Sequence, residues 1–323
     1  MRVLHFAKTF SPLSETFIYD YVTELERQDV DNHVVAFDRK NEDSRPFSKI
    51  KIVDRPGRWN LQRLWYRLLV ATGSGDPRTA EWPQLRERLK AVVHNVQPDV
   101  IHAHFGPAGV LIGSVAQTNG IPLVVSFHGF DAFKLPTEPF WKKKYSGLFG
   151  RADCITVVSN LMAQHLTEVG APSDKVTVIR VGKRMEEYPY RHPTSLVRNW
   201  ISVGRLEEKK GFEDCIDAFR RLVGEYPDST LEIIGDGSRY DVLQEKIEST
   251  GLTENVNLLG KCPHDEVKRK LDSADAFVLC SREASDGNRE GVPTVLMEAQ
   301  AVGLPVVSTT HSGIPEVIPG ENR

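Results

Sequence analysis

Short apolar runs recur along the chain, separated by stretches with helical period. Val3–Ala7, His33–Phe37, Val100–Ala103, Leu123–Phe127 and Ile155–Val158 make a first series. Trp200–Val203, Leu231–Ile234, Val256–Leu259, Ala276–Cys280 and Pro305–Ser308 make a second. Each run is nearly continuous in apolar side chains instead of alternating, the pattern of a strand covered on both faces. Such strands alternating with helices predict parallel sheets, hence an α/β chain. Between the two series, Gly182–Arg198 is polar, contains Pro189 and Pro193, and reads as a linker. The predicted organisation is a first domain over 1–183, a linker over 184–198 and a second domain over 199–323. Open parallel sheets bind ligands beyond the carboxyl ends of their strands. Two such domains facing each other place the expected active site in the cleft between them.

Composition narrows the class. A chain of 323 residues can bury two cores, and 40 % hydrophobic with 26 % charged residues fits a globular enzyme. A net charge of −3 gives no global electrostatic case for nucleic acid. Cys154, Cys215, Cys262 and Cys280 form no CxxC pair, which argues against a zinc knuckle or a disulfide framework and suits a reducing compartment. The opening Met1–Lys8 carries too short an apolar run for a signal peptide, and no stretch is apolar enough to span a bilayer. A cytoplasmic protein is expected.

The most informative segment is Arg289–Val307. Gly291 gives a flexible entry, Pro293 suits a first helical turn, the helix is predicted to run to about Val302, and Gly303 ends it. The amides and dipole at such a helix start form an anion site. Glu290 and Glu298 would be about 12 Å apart on one continuous helix. Carboxylates sharing work on one bond stand roughly 5–9.5 Å apart, so these two are expected to meet different parts of a ligand. The competing reading is a solvated loop Glu and a helix-face Glu. In Ile201–Gly211, Gly204 frees the chain to turn after a strand, and Arg205 and Lys210 flank that turn. Two cations there could hold a diphosphate, or simply belong to a charged surface turn with Glu207 and Glu208. Gly235-Asp-Gly237 lacks the third glycine of a dinucleotide fingerprint and reads as a tight turn.

His102 and His104 alternate on one strand face, and His128-Gly-Phe-Asp131 follows another strand. His128 could hydrogen-bond a ligand hydroxyl, polarise a reacting group, or be a satisfied core residue. No Cys, His and carboxylate cluster has metal-ligand spacing, so no metal is expected. Arg58–Leu69 combines an apolar helical stripe with arginines and two tryptophans, and Trp141-Lys-Lys-Lys-Tyr145 is a second basic-aromatic stretch. Both fit peripheral contact with an anionic membrane, or else helices packing on a sheet.

Together these segments resemble the retaining glycosyltransferases of family 4, which have the GT-B fold of two Rossmann-like domains. The resemblance rests on Glu290 and Glu298 as an E-x7-E pair, on Gly204-Arg205 with Lys210-Gly211, and on Gly303–Val307 followed by Gly313-Ile-Pro-Glu316. Phe10–Ile18, His102–Gly106 and His128–Asp131 are similar to the subset that makes bacterial exopolysaccharides, including colanic acid. The resemblance implies an acceptor-side first domain, a donor-binding second domain, and transfer from a nucleotide sugar to a saccharide or lipid-linked saccharide acceptor. Arg205 and Lys210 would bind the donor diphosphate, Glu298 the ribose, and Glu290 the transferred sugar. Backbone amides from Gly291 and Val292 through Pro293 and Thr294 to Val295, with Gly204, would line the donor. His128 would sit near the donor sugar across the cleft, and Gly260 would border the base. No cofactor is implied beyond the donor itself. Where many relatives carry a glycine-rich first loop, this chain has Thr9–Glu15, so Ser11 and Ser14 are the expected donors there. Asp29-Val-Asp31 spells the metal-binding DxD of a different glycosyltransferase fold, but it precedes a strand and is discounted. Family members usually continue past Glu316 with further elements, so an incomplete second domain is expected. The alternatives are a nucleotide-sugar epimerase of the same fold and a non-catalytic sugar-nucleotide-binding fragment.

Overall fold

A computed structural model describes residues 1–55, 79, 81–192 and 196–318. The first sheet contains β1 (Arg2–Phe10), β2 (Asp31–Arg39), β3 (Ile50–Ile52), β4 (Val100–His104), β5 (Leu123–Phe127), β6 (Cys154–Val157) and β7 (Val176–Val178). Its order is β3-β2-β1-β4-β5-β6-β7. The second contains β8 (Asn199–Val203), β9 (Thr230–Ile234), β10 (Val256–Gly260), β11 (Ala276–Leu279) and β12 (Val306–Ser308), ordered β10-β9-β8-β11-β12 with every ladder parallel. All ten apolar runs are strands. β3 and β7 escape the sequence reading because none of their residues is fully buried, so no apolar run marks them.

Helices cover these sheets. In the first half they are α1 (Thr16–Arg27), α2 (Trp82–Val96), α3 (Gly106–Thr118), α4 (Phe130–Phe133), α5 (Pro139–Arg151) and α6 (Asn160–Val169). In the second they are α7 (Phe212–Glu225), α8 (Tyr240–Ser249), α9 (His264–Ser273) and α10 (Thr294–Ala301). Among the described residues, no helix is long and apolar enough to cross a membrane.

The chain packs as two compact units. The first takes Met1–Phe127, Glu138–Thr156 and Thr167–Thr177; the second takes His128–Thr137, Val157–Leu166 and Val178–Arg323. In the first, α3 is apolar nearly all round and correspondingly buried. Gly106 admits it to its neighbours, since a Cβ there would stand within contact distance of the Tyr145 and Phe127 rings. In the second, Phe212, Cys215, Ile216 and Phe219 form the inward stripe of α7 against β8 and β11 residues such as Ile201 and Phe277. The segment read as a linker is partly anchored in that second core, because Tyr188 is buried there and Arg191 N–H donates to Val302 O at 3.1 Å.

Each sheet reverses its strand order beside its first strand, between β1 and β4 and between β8 and β11. Loops leaving such a pair diverge to opposite faces and open a crevice at the carboxyl ends. In the second unit, those are the loops after Val203 and after Leu279.

Candidate active site

The loop after β8 turns at Gly204 and closes with a short 3-10 turn, Glu208–Lys210, ending on Gly211 in the left-handed region at φ 64°. A Cβ on Gly211 would fall 1.8 Å from Cys280 O, so only glycine lets this turn lie on the end of β11. Two further ties join it to the loop after β11. Glu208 accepts from Ser285 N–H at 3.0 Å and Ser285 O–H at 2.7 Å, and Lys209 O accepts from Arg282 N–H at 2.9 Å. The turn is therefore fixed, and it sends both lysines inward.

Lys209 Nζ lies 3.1 Å from Glu290 Oε1, and Lys210 Nζ lies 3.1 Å from Glu290 Oε2. All three residues are buried, with at most 8 % of their surface exposed. Burial alone would raise the Glu290 carboxyl, but the charges of Lys210 and Lys209 and their hydrogen bonds bring it down to about 2. Burial also lowers the Lys210 ammonium, outweighing its attraction to Glu290, with the charge of Lys209 acting the same way. Two ammoniums on one carboxylate leave a buried positive charge, a place for an anion.

Glu298 lies inside α10, where Pro293 is the extended N-cap (φ −66°, ψ 113°) and Gly303 follows the end at φ 87°. Its carboxylate meets Lys183 Nζ at 3.0 Å, both side chains being 6 % exposed. The two glutamates thus have separate lysine partners. The competing reading of a solvated loop Glu and a helix-face Glu is overturned, because both are held inside by cations.

His128 belongs to the same unit. Gly129 and Gly291 let the two backbones touch: a Cβ on Gly291 would stand 2.1 Å from His128 O, and one on Gly129 2.9 Å from Gly291 N. Asp131 holds that turn by accepting from the N–H of His128 at 3.0 Å and of Gly129 at 3.1 Å. Burial pushes the His128 imidazole down to about 3, so it is neutral at pH 7. Gly313 packs on the same loop, where its Cβ would lie 2.8 Å from Gly291 O. Glu316 clasps α6, accepting from Asn160 N–H at 2.9 Å, Leu161 N–H at 3.2 Å and the Arg180 guanidinium at 3.0 Å. The Gly313–Glu316 motif therefore has a structural task.

Other expected residues fall differently. Arg205 points outward, its side chain 53 % exposed and paired with Glu207 at 2.7 Å, so it and Lys210 do not share one buried partner. Pro293 precedes the helix and has no N–H, so within Val292–Val295 only Val292, Thr294 and Val295 can offer amides. Gly260 ends β10 at φ 69° and accepts from Gly235 N–H at 2.9 Å. Ser14 is exposed in the first unit after β1, and Ser11 sits there at φ 66° with its side chain buried. Asp31, discounted as a metal ligand, is bound to Arg2 at 2.8 Å and Lys49 at 2.9 Å. Arg58–Leu69 lies outside the described residues. Of the second basic-aromatic stretch, Tyr145 is core while Lys142 and Lys143 are exposed.

Sequence reasoning missed Lys209 and Lys183. The Lys-Lys-Gly triplet was a signal for the first, since a short turn can aim neighbouring side chains at one acceptor. For Lys183 no sequence signal existed, because its partner lies over a hundred residues away.

Comparisons with known proteins agree with this architecture. The family model for group 1 glycosyl transferases matches residues 198–322, and that for glycosyltransferase family 4 matches residues 14–182. The Salmonella typhimurium protein named for colanic acid biosynthesis, glycosyltransferase WcaL, is 33 % identical over 98 % of this chain and 84 % of its own. The amylovoran biosynthesis glycosyltransferase AmsK of Erwinia amylovora is 38 % identical, and the match covers 68 % of this chain and 55 % of AmsK. Among solved structures, Anabaena HepE in complex with UDP and glucose superposes with a TM-score of 0.75 at 18 % identity, covering 99 % of this chain and 83 % of HepE. The lipopolysaccharide outer core galactosyltransferase WaaB gives 0.69 at 19 %, covering 99 % and 84 %. At these identities the two structures speak for a shared fold.

Proposed function

The chain belongs to glycosyltransferase family 4, in its bacterial exopolysaccharide group and with the GT-B fold, and we propose how it works from that premise. It moves a sugar from a nucleotide-diphosphate donor to a saccharide or lipid-linked saccharide acceptor, with retention and without a metal at the donor site. The observation that carries this reading is the buried pair Lys209 and Lys210 on Glu290, where β8 and β11 end. In glycosyl transfer the bond from the anomeric carbon to the phosphate oxygen breaks, and negative charge grows on the diphosphate. Fixed cations in a dry site stabilise that charge most where it develops. Lys209, Lys210 and Arg205 take the diphosphate, helped by amides of Gly291, Val292, Thr294 and Val295. Glu298, oriented by Lys183, binds the ribose, and Glu290 the hydroxyls of the sugar. The neutral His128 imidazole hydrogen-bonds the sugar without adding charge. In a same-face attack the acceptor oxygen forms the new bond while a leaving phosphate oxygen takes its proton.

HepE crystals with UDP and glucose favour UDP-sugars as the first donors to test. The test is a panel of labelled nucleotide sugars with lipid-linked saccharide acceptors, reading product anomer by NMR. Lys210→Ala is expected to lower turnover about 10²–10³-fold, as for loss of one transition-state donor. Wild-type turnover in that variant overturns the site, and an inverted product overturns retention. Sugar isomerisation without acceptor identifies the epimerase reading, and nucleotide binding without either product the binding-protein reading. The division into 1–183, 184–198 and 199–323 remains our proposal for the domains. We also propose a cytoplasmic protein touching an anionic membrane through Lys142 and Lys143; equal vesicle sedimentation after changing both to Ser counts against that contact.

A further inference from the structure

The first unit contains a cluster that sequence spacing does not reveal. His5 on β1 registers opposite His102 on β4, and His104, two residues on, shares that face. All three are buried, and one ligand nitrogen from each lies within 4.8 Å of the others. The rings of His102 and His104 stack with centroids 4.3 Å apart, and His5 lies 5.3 and 5.4 Å from them. Tyr21 of α1 stands edge-on over the group at 6.0, 5.4 and 6.2 Å and is itself partly exposed.

The Asn32 contact fixes the His5 proton. Asn32 Nδ2 donates to Val22 O at 3.3 Å and Val30 O at 3.1 Å, so its Oδ1 faces His5 Nε2 at 3.0 Å as an acceptor. His5 therefore carries its proton on Nε2 and turns the Nδ1 lone pair inward, 3.2 Å from His104 Nε2. His102 Nε2 is held by Ser126 Oγ at 2.6 Å, which is tied in turn to Thr156. A tetrahedral zinc with Zn–N bonds of about 2.0–2.1 Å keeps its ligand nitrogens about 3.3 Å apart. The His5–His104 spacing fits that edge, and outer groups that set ligand tautomer and orientation are what a built site requires.

We propose that His5, His102 and His104 bind one zinc-class divalent ion that staples β1 to β4. Three imidazoles select Zn(II) among abundant divalent ions and leave a fourth position for water. The site lies in the first unit and is separate from the lysines and glutamates that act on the donor, so it stands whether or not the donor reading does.

The test uses the full chain, stripped with chelator and titrated with Zn(II), then with Co(II) followed by visible absorption. One ion per chain is expected, with four-coordinate Co(II) bands, no thiolate charge transfer, and a higher Tm on Zn(II) addition. His104→Gln and His5→Gln should each weaken binding by at least about 100-fold, while His33→Gln, on β2 outside the cluster, binds as wild type. Folding of each variant is checked by circular dichroism, and the wild-type spectrum decides the matter if a variant does not fold. Failure of folded wild type to retain one equivalent, a thiolate band, or unchanged affinity in His104→Gln overturns the proposal.

Discussion

Replacing Glu290 by Gln removes one negative charge from between two ammoniums and changes little else. Lys209 Nζ and Lys210 Nζ each stand 3.1 Å from its carboxylate, and all three groups are out of water. Breaking a buried pair by removing one partner costs about 3–5 kcal/mol. A carboxyl lowered from 4.5 to about 2 is worth about 3 kcal/mol by the usual conversion. Burial of the Lys210 ammonium offsets part of that gain, so the lower end, about 3 kcal/mol, is expected. The sign with pH follows. A group whose folded pKa is depressed stabilises fully above its unfolded value of about 4.5 and stops doing so as pH falls toward 2. Urea denaturation should therefore find Glu290→Gln less stable by about 3 kcal/mol at pH 7, with the gap closing as pH falls from about 5 toward 2. A nucleoside diphosphate, by giving the lysines a new counter-ion, should narrow the gap at pH 7. A variant as stable as wild type at pH 7 refutes the buried triad. A gap that persists in acid refutes charge as its cause and points to packing.

Three further outcomes follow from the same geometry. Lys183→Ala strands the Glu298 carboxylate and should cost about 3–5 kcal/mol, much of which Lys183→Met combined with Glu298→Leu recovers in a denaturation cycle. Gly291→Ala should cost about 2–4 kcal/mol, measured as a lower Tm, because its Cβ would meet His128 O at 2.1 Å and backbone cannot easily retreat. His128, lowered from 6.5 to about 3, destabilises the fold as pH falls below 6.5 because the unfolded ring takes up a proton first. Between pH 6.5 and 4.5, His128→Gln should lose about 2–3 kcal/mol less stability than wild type; identical acid profiles would remove His128 from that balance.

Ten strands and the α/β class were legible in the order of amino acids, because a strand buried on both faces must be apolar along its length. That order also marked Lys210, Glu290 and Glu298, whose spacing survives translation into loop and helix. It could not determine which of these charges face inward. Arg205 and Lys210 look equivalent in sequence, yet one is half exposed on Glu207 and the other is buried on Glu290, because Gly211 lies against Cys280 and rotates the turn. Lys183 joined Glu298, His128 joined Gly291, and His5 joined His102 and His104 only through sheet register and loop packing between distant segments. Local sequence sets backbone preference within a few residues. Pairing of buried charges and rings is decided by which segments exclude water together, and that belongs to the tertiary structure alone.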